Sequence, residues 1–138
     1  MNKAYVLDAC ALIAYLSEED GAVVVQDLLN AAERGECKVF MHAINLLEVY
    51  YGVRKEYGEI AASEMLENVK EESITVESGI SESMILDAGR LKSQYRISLA
   101  DSVGLAQAIL LSASFVTSDH HELDIVDTVE NVGFTWFR

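Results

Sequence analysis

Five short apolar runs recur along this chain, with helix-periodic segments between them. They cover residues 4–7, 39–41, 74–76, 115–117 and 134–137. Apolar runs this short read as strands buried on both faces. The intervening segments predict helices over 11–16, 21–34, 44–57, 61–70, 81–95 and 99–111. Val24, Leu28, Ala31 and Ala32 form the stripe of the second helix, which Gly35 ends. Ile44, Leu47, Tyr51 and Val53 do the same for the third, and Met84, Ile85, Ala88, Leu91 and Tyr95 for the fifth. Residues 118–127 read as an acidic turn. Strands alternating with helices specify an α/β fold: a parallel sheet of about five short strands flanked by helices.

At 138 residues the chain fits one domain spanning 1–138, large enough to fold without disulfides or a structural metal. Apolar residues make up 51% and charged residues 24%, which argues against disorder. Ten basic against 23 acidic side chains give a net charge of -13. That balance argues against a domain built to grip a polyphosphate backbone unaided. Cys10 and Cys37 form no zinc spacing and read as buried thiols of a reducing compartment. Asp8 interrupts the N-terminal apolar run, so a signal peptide is not expected, and no apolar stretch approaches a membrane span. The expectation is a cytoplasmic protein.

Most acids, such as Glu33, Glu36, Glu56, Glu59, Glu64, Glu67, Glu71 and Glu72, fall on polar helix faces. Four do not. Asp8 follows Tyr-Val-Leu, Glu48 sits within Leu-Leu-Glu-Val-Tyr-Tyr-Gly-Val, Asp101 follows Ser-Leu-Ala, and Asp119 follows Phe-Val-Thr-Ser. An acid against an apolar segment is disfavoured unless it is paired, hydrogen-bonded or bound to a cation. Each has a purely structural reading. Asn45-x-x-Glu48 and Ser98-x-x-Asp101 have the form of capping boxes, which would put both acids in first helical turns. Asp8 and Asp119 could be turn residues at strand ends.

Together they suggest more. Ligands of open α/β sheets sit beyond the carboxyl ends of the strands, where strand order reverses. If the first and fourth strands are neighbours, Asp8 and Asp119 lie side by side at such an edge. Two carboxylates about 4 Å apart repel by roughly 4 kcal/mol at an effective dielectric of 20. A shared pocket therefore needs protonation or a cation. All-oxygen ligands favour a hard ion, Mg²⁺ or Mn²⁺.

In order and spacing, these four motifs resemble the PIN-domain family, closest to the single-domain VapC-like toxins of toxin-antitoxin pairs. The resemblance spans essentially the whole chain. It implies a three-layer PIN-like fold, a metal-dependent endoribonuclease hydrolysing RNA phosphodiester bonds, Mg²⁺ or Mn²⁺ as cofactor, an antitoxin protein as partner and a homodimer. It assigns Asp8, Glu48, Asp101 and Asp119 to catalysis and metal binding, with Thr117 as a supporting hydroxyl. Ala9 departs from the family, many of whose members carry Ser or Thr there.

Arg96, five residues before Asp101, is the best candidate for a substrate-phosphate contact; its bland alternative is a solvated helix end or an ion pair with Glu82 or Asp87. Arg54 and Lys55 are a second pair. His120 and His121 read as a polar turn, and Cys10 as packing beneath the site. Tyr50, Tyr51 and the apolar stretch 44–53 offer a contact surface for a second copy. Two other readings are a catalytically silent PIN-like module that binds protein or metal, and a Mg²⁺-dependent phosphohydrolase. The latter lacks the second Asp expected two positions after Asp8.

Overall fold

The computed structural model describes residues 3–138. Strand β1 (Lys3–Leu7) leads into helices α1 (Ala9–Leu16) and α2 (Ala22–Glu33). Then come β2 (Cys37–His42), α3 (Ala43–Tyr57), α4 (Glu59–Lys70), β3 (Thr75–Glu77), α5 (Glu82–Gln94), α6 (Leu99–Leu111), β4 (Ser114–Thr117), α7 (His120–Val129) and β5 (Gly133–Trp136). The five strands form one parallel sheet in the order β3-β2-β1-β4-β5. This is the expected α/β architecture. The order reverses between β1 and β4, which are direct neighbours.

Successive strand residues point to opposite faces, and the structure uses both. Leu7 and Val116 join one core with α1, α2, Val49 of α3, and Met65 and Val69 of α4. Val6 and Phe115, one position earlier in each strand, join the other with Leu91 of α5, Leu105 of α6 and Leu123 and Val126 of α7. Each fully buried side chain of this size contributes about 1.5–3 kcal/mol. Helix α6 is buried without a break from Ser102 to Ala108. Its small residues let it lie against β1, β2 and β4 with α5 packed on its other side. No helix of the described residues is long and apolar enough to cross a membrane.

Tertiary packing moves several features from where periodicity puts them. Residues 118–127 do not form a turn: His120–Val129 is helix α7, nucleated by Asp119 as its N-cap and held by Leu123 and Val126 in the core. His120 and His121 are thus its first two residues. In α3 the buried residues are Asn45 and Val49, whereas Leu47 and Tyr51 are each 59% exposed. In α5, Met84, Ala88 and Leu91 are buried but Ile85 is 58% exposed. In α2 the deepest residues are Val25 and Leu29, with the expected stripe only half-buried beside them. In each helix the apolar stripe is wide enough that neighbouring elements select only part of it.

The chain end is pinned at Gly21. This residue has φ +88°, and a Cβ there would fall 2.2 Å from the Phe137 carbonyl oxygen, so no other residue fits without displacement.

Candidate active site

The sheet's reversal point places two acids side by side. The Asp8 N–H donates to Val116 O at 3.1 Å, extending the β1–β4 ladder by one step. The Asp8 side chain then turns to cap α1, with Oδ1 accepting from Ala11 N at 2.7 Å. On the neighbouring strand the buried Thr117 hydroxyl accepts from Asp119 N at 3.1 Å, and Asp119 Oδ1 accepts from Glu122 N at 3.2 Å. Asp8 and Asp119 are therefore helix caps as well as strand-end acids. A cap uses only one carboxylate oxygen, so each keeps another for the cleft.

Asp101 arrives on α6. Ser98 caps this helix, its hydroxyl accepting from Asp101 N at 3.0 Å, so the expected capping position holds. Glu48 differs from expectation. The cap of α3 is His42, not Asn45, and Glu48 sits in the second turn. It therefore draws little from the helix N-terminus. His42 Nδ1 accepts from Ile44 N at 3.1 Å while Nε2 faces Gly79 O at 2.9 Å, which puts the proton on Nε2. This ring ties the start of α3 to the segment after β3.

Asp8, Glu48, Asp101 and Asp119 line one cleft, together with Ala9, Cys10, Ser98, His121 and Glu122. Asp101, Asp119 and Glu122 each offer a carboxylate oxygen, all within 4.8 Å of one another. Glu122 is the member that sequence reasoning missed. Its signal was its place three residues after a capping Asp, which becomes visible only once 120–129 is read as helix. Cys10, expected to be buried beneath the acids, is instead exposed on the cleft wall. Partial desolvation of its sulfur and the surrounding carboxylates push its thiol up to about 12, which disfavours the thiolate. Cys37 is buried as expected.

The cleft is electrostatically unbalanced. Five carboxylates line it, and no Lys or Arg does. Desolvation pushes the Asp8 carboxyl up to about 7; hydrogen bonding to Thr117 and Ala11 opposes this, and Asp101 and Asp119 add to it. Asp101 rises to about 6, first through desolvation and then through the charge of Glu48. Partial desolvation also raises Glu48 at the rim. Such a donor set fits a hard divalent cation, which supplies the missing counter-charge through oxygen ligands alone.

Size does not single out this cleft. A groove of ≈ 710 Å³ beside Tyr15 and Gln26 exceeds its ≈ 370 Å³. That groove is also acidic, but Glu18, Glu19, Asp20 and Glu71 there face water, and Glu19 pairs with Arg138 at 3.8 Å. Burial distinguishes the two. Arg96 is exposed and in no ion pair among the described residues, whereas Arg90 pairs with Glu130 at 2.9 Å and Arg54 with Glu59 at 3.9 Å.

Known structures share this architecture. VapBC2 from Rickettsia felis, crystallised with a promoter DNA fragment, matches with a TM-score of 0.75 at 18% identity, covering 96% of this chain and 98% of that one. VapBC-1 from nontypeable Haemophilus influenzae matches with a TM-score of 0.71 at 21% identity, covering 97% and 98%. Mycobacterium tuberculosis VapC20, a toxin that cleaves the sarcin-ricin loop, matches with a TM-score of 0.60 at 12% identity, covering 81% and 85%. No curated protein sequence matches. Residues 5–128 match the family model of the PIN domain, nearly the full length from β1 to α7. The chain belongs to the PIN domain family.

Proposed function

We propose that the chain is a single-domain, metal-dependent endoribonuclease, the toxin of a toxin-antitoxin pair. The observation that carries this reading is the cleft where four acids gather around the buried Asp8 with no Lys or Arg in its lining. Membership of the PIN family and the likeness to VapC toxins support it. Asp8, Glu48, Asp101 and Asp119 would hold Mg²⁺ or Mn²⁺, with Glu122 joining them. When bound, the ion supplies Lewis acidity toward water and the scissile phosphate.

The chain's own residues do the positioning. The Ala11 N–H holds one Asp8 oxygen and leaves the other for the cleft. Thr117 anchors the backbone of Asp119. Ser98 fixes the start of α6 and with it Asp101. Arg96, exposed and in no ion pair among the described residues, is the candidate for a substrate-phosphate contact. Its charge is needed, because the rest of the surface is strongly acidic and repels RNA.

The same acidity suits a basic antitoxin segment, and the VapBC complexes among the similar structures support an antitoxin partner. Leu47 and Tyr51 on α3 support pairing with a second copy. We place the protein in the cytoplasm, where RNA and an antitoxin would meet it. The test is RNA cleavage in Mg²⁺ or Mn²⁺ by the wild type, Asp8→Asn and Asp101→Asn. Cleavage that requires the ion and is lost in both variants is expected. Cleavage that survives both sinks the site. Absence of cleavage of any RNA, alongside measurable binding to a partner protein, would favour the silent module.

A further inference from the structure

Two polar or special residues in the core have no role in the chemistry above. Asn45 on α3 is fully buried, and neither its Oδ1 nor its Nδ2 is hydrogen-bonded to a protein group. Gly104 stands mid-helix in α6, where glycine is a poor helix former and needs a packing reason. The two explain each other. A Cβ at Gly104 would lie 2.9 Å from Asn45 Nδ2 and 2.8 Å from Cε1 of Phe115. Phe115 is fully buried and packed edge-on against Phe134, so it has little room to give.

The contact stands in a fixed relation to the cleft. Asn45 is three residues before Glu48 on α3, and Gly104 is three residues after Asp101 on α6. Residues three apart share a helix face one turn from each other. The helices that deliver Glu48 and Asp101 therefore touch one turn from the two acids. We propose that Asn45 and Gly104 are a positioning pair, whose contact sets the separation of Glu48 and Asp101. The inference rests on the metal-site reading above, which gives that separation its consequence. A buried amide without a protein partner is an expensive spacer. Its volume, between those of alanine and leucine, is what the gap over a glycine backbone accepts.

The test uses Gly104→Ala, Asn45→Ala and the double variant. Metal-free crystal structures give the Glu48–Asp101 Cα separation, and titration with Mn²⁺ followed by the EPR signal of the free ion gives affinity. In Gly104→Ala the methyl forces the helices apart by roughly 0.5–1 Å, and Mn²⁺ binding weakens about tenfold or more. Asn45→Ala lets them close and also weakens binding, while thermal melting stays near wild type because no protein hydrogen bond is lost. In the double variant the new methyl takes the place of the removed amide. Separation and affinity should both return part of the way, with Phe115 keeping the recovery incomplete. Asn45→Ala keeps the test intact if Gly104→Ala does not fold. An unchanged separation in the single variants overturns the proposal. So does an affinity loss in the double variant equal to the sum of the two singles. If the wild type binds no Mn²⁺, or Asp101→Asn binds it as tightly, the metal-site reading falls. The separations still decide the pair.

Discussion

His120 lies face to face with Trp136, their ring centroids 4.0 Å apart and their planes 17° from parallel. The stack joins the first turn of α7 to the last strand of the sheet. It is held from both sides: His120 Nδ1 meets Asp124 Oδ1 at 2.8 Å, and Nε2 meets the Arg138 carbonyl at 2.8 Å. Both partners are acceptors, and a neutral imidazole has only one N–H. Both bonds form together only when the ring is an imidazolium.

The bond to Asp124, and after it the one to Arg138, raises the His120 pKa above its usual 6.5. A base whose folded pKa is raised gives its full stabilisation below the unfolded value and loses it as pH rises through the folded one. The clasp between α7 and the chain end should therefore loosen above about pH 6.5. Trp136 is the single tryptophan of the chain, so its fluorescence reports the event directly. An imidazolium stacked on indole quenches emission. Emission should rise with a midpoint above that of free histidine, and His120→Ala should abolish the transition. A midpoint at or below the free value would contradict the doubly bonded ring.

Asp8 and Asp101 predict an opposite anomaly for an acidic cleft. Their carboxyls are raised from 3.8 to about 7 and about 6. The folded state then holds protons that the unfolded chain releases near pH 4. Stability without metal should be greatest below pH 4 as far as these groups are concerned, and should fall as pH climbs from 4 toward 7. For Asp8 alone the loss is on the order of 4 kcal/mol, at 1.36 kcal/mol per pKa unit. Urea denaturation in EDTA should show this slope, and Asp8→Asn should flatten it. Saturating Mg²⁺ should restore the wild type at pH 7.5 and leave Asp8→Asn unmoved.

Glu122 has its carboxylate within 4.8 Å of those of Asp101 and Asp119. Glu122→Gln keeps the size of the side chain and removes one charge from the cleft. We expect Mn²⁺ affinity by calorimetry to fall by about tenfold or more. The Asp101 carboxyl should drop, because Glu122 is one of the charges that raise it. An affinity equal to wild type would remove Glu122 from the cation site.

How far these residues were legible follows from the range of the forces that place them. Asp8 and Asp119 could be read from the chain because each directly follows or closely trails a strand, and strand ends mark the sheet edge. Asp101 could be read because Ser98 caps its helix locally. The Glu48 residue type was legible, but its place in the helix was not, since His42 rather than Asn45 begins α3. His42 caps α3 while also reaching Gly79, 37 residues away. Glu122 was hidden inside an acid-rich stretch whose helix is held by Leu123 and Val126 against the distant α5 and α6 core.

Local chemistry in the chain itself thus determined the alternation of strands and helices and the parallel sheet, and it marked out four of the five acids one by one without bringing them together. Period-2 and period-3.6 patterns and capping act over a few residues, so sequence order is enough to reveal them. Only the tertiary structure decided the β1–β4 adjacency, the membership of Glu122 and the contact of Asn45 with Gly104. It also decided which half of each apolar stripe is buried, leaving Leu47, Tyr51 and Ile85 outside. Those outcomes depend on contacts between segments tens of residues apart. Their free energy comes from burial against partners that no local pattern names.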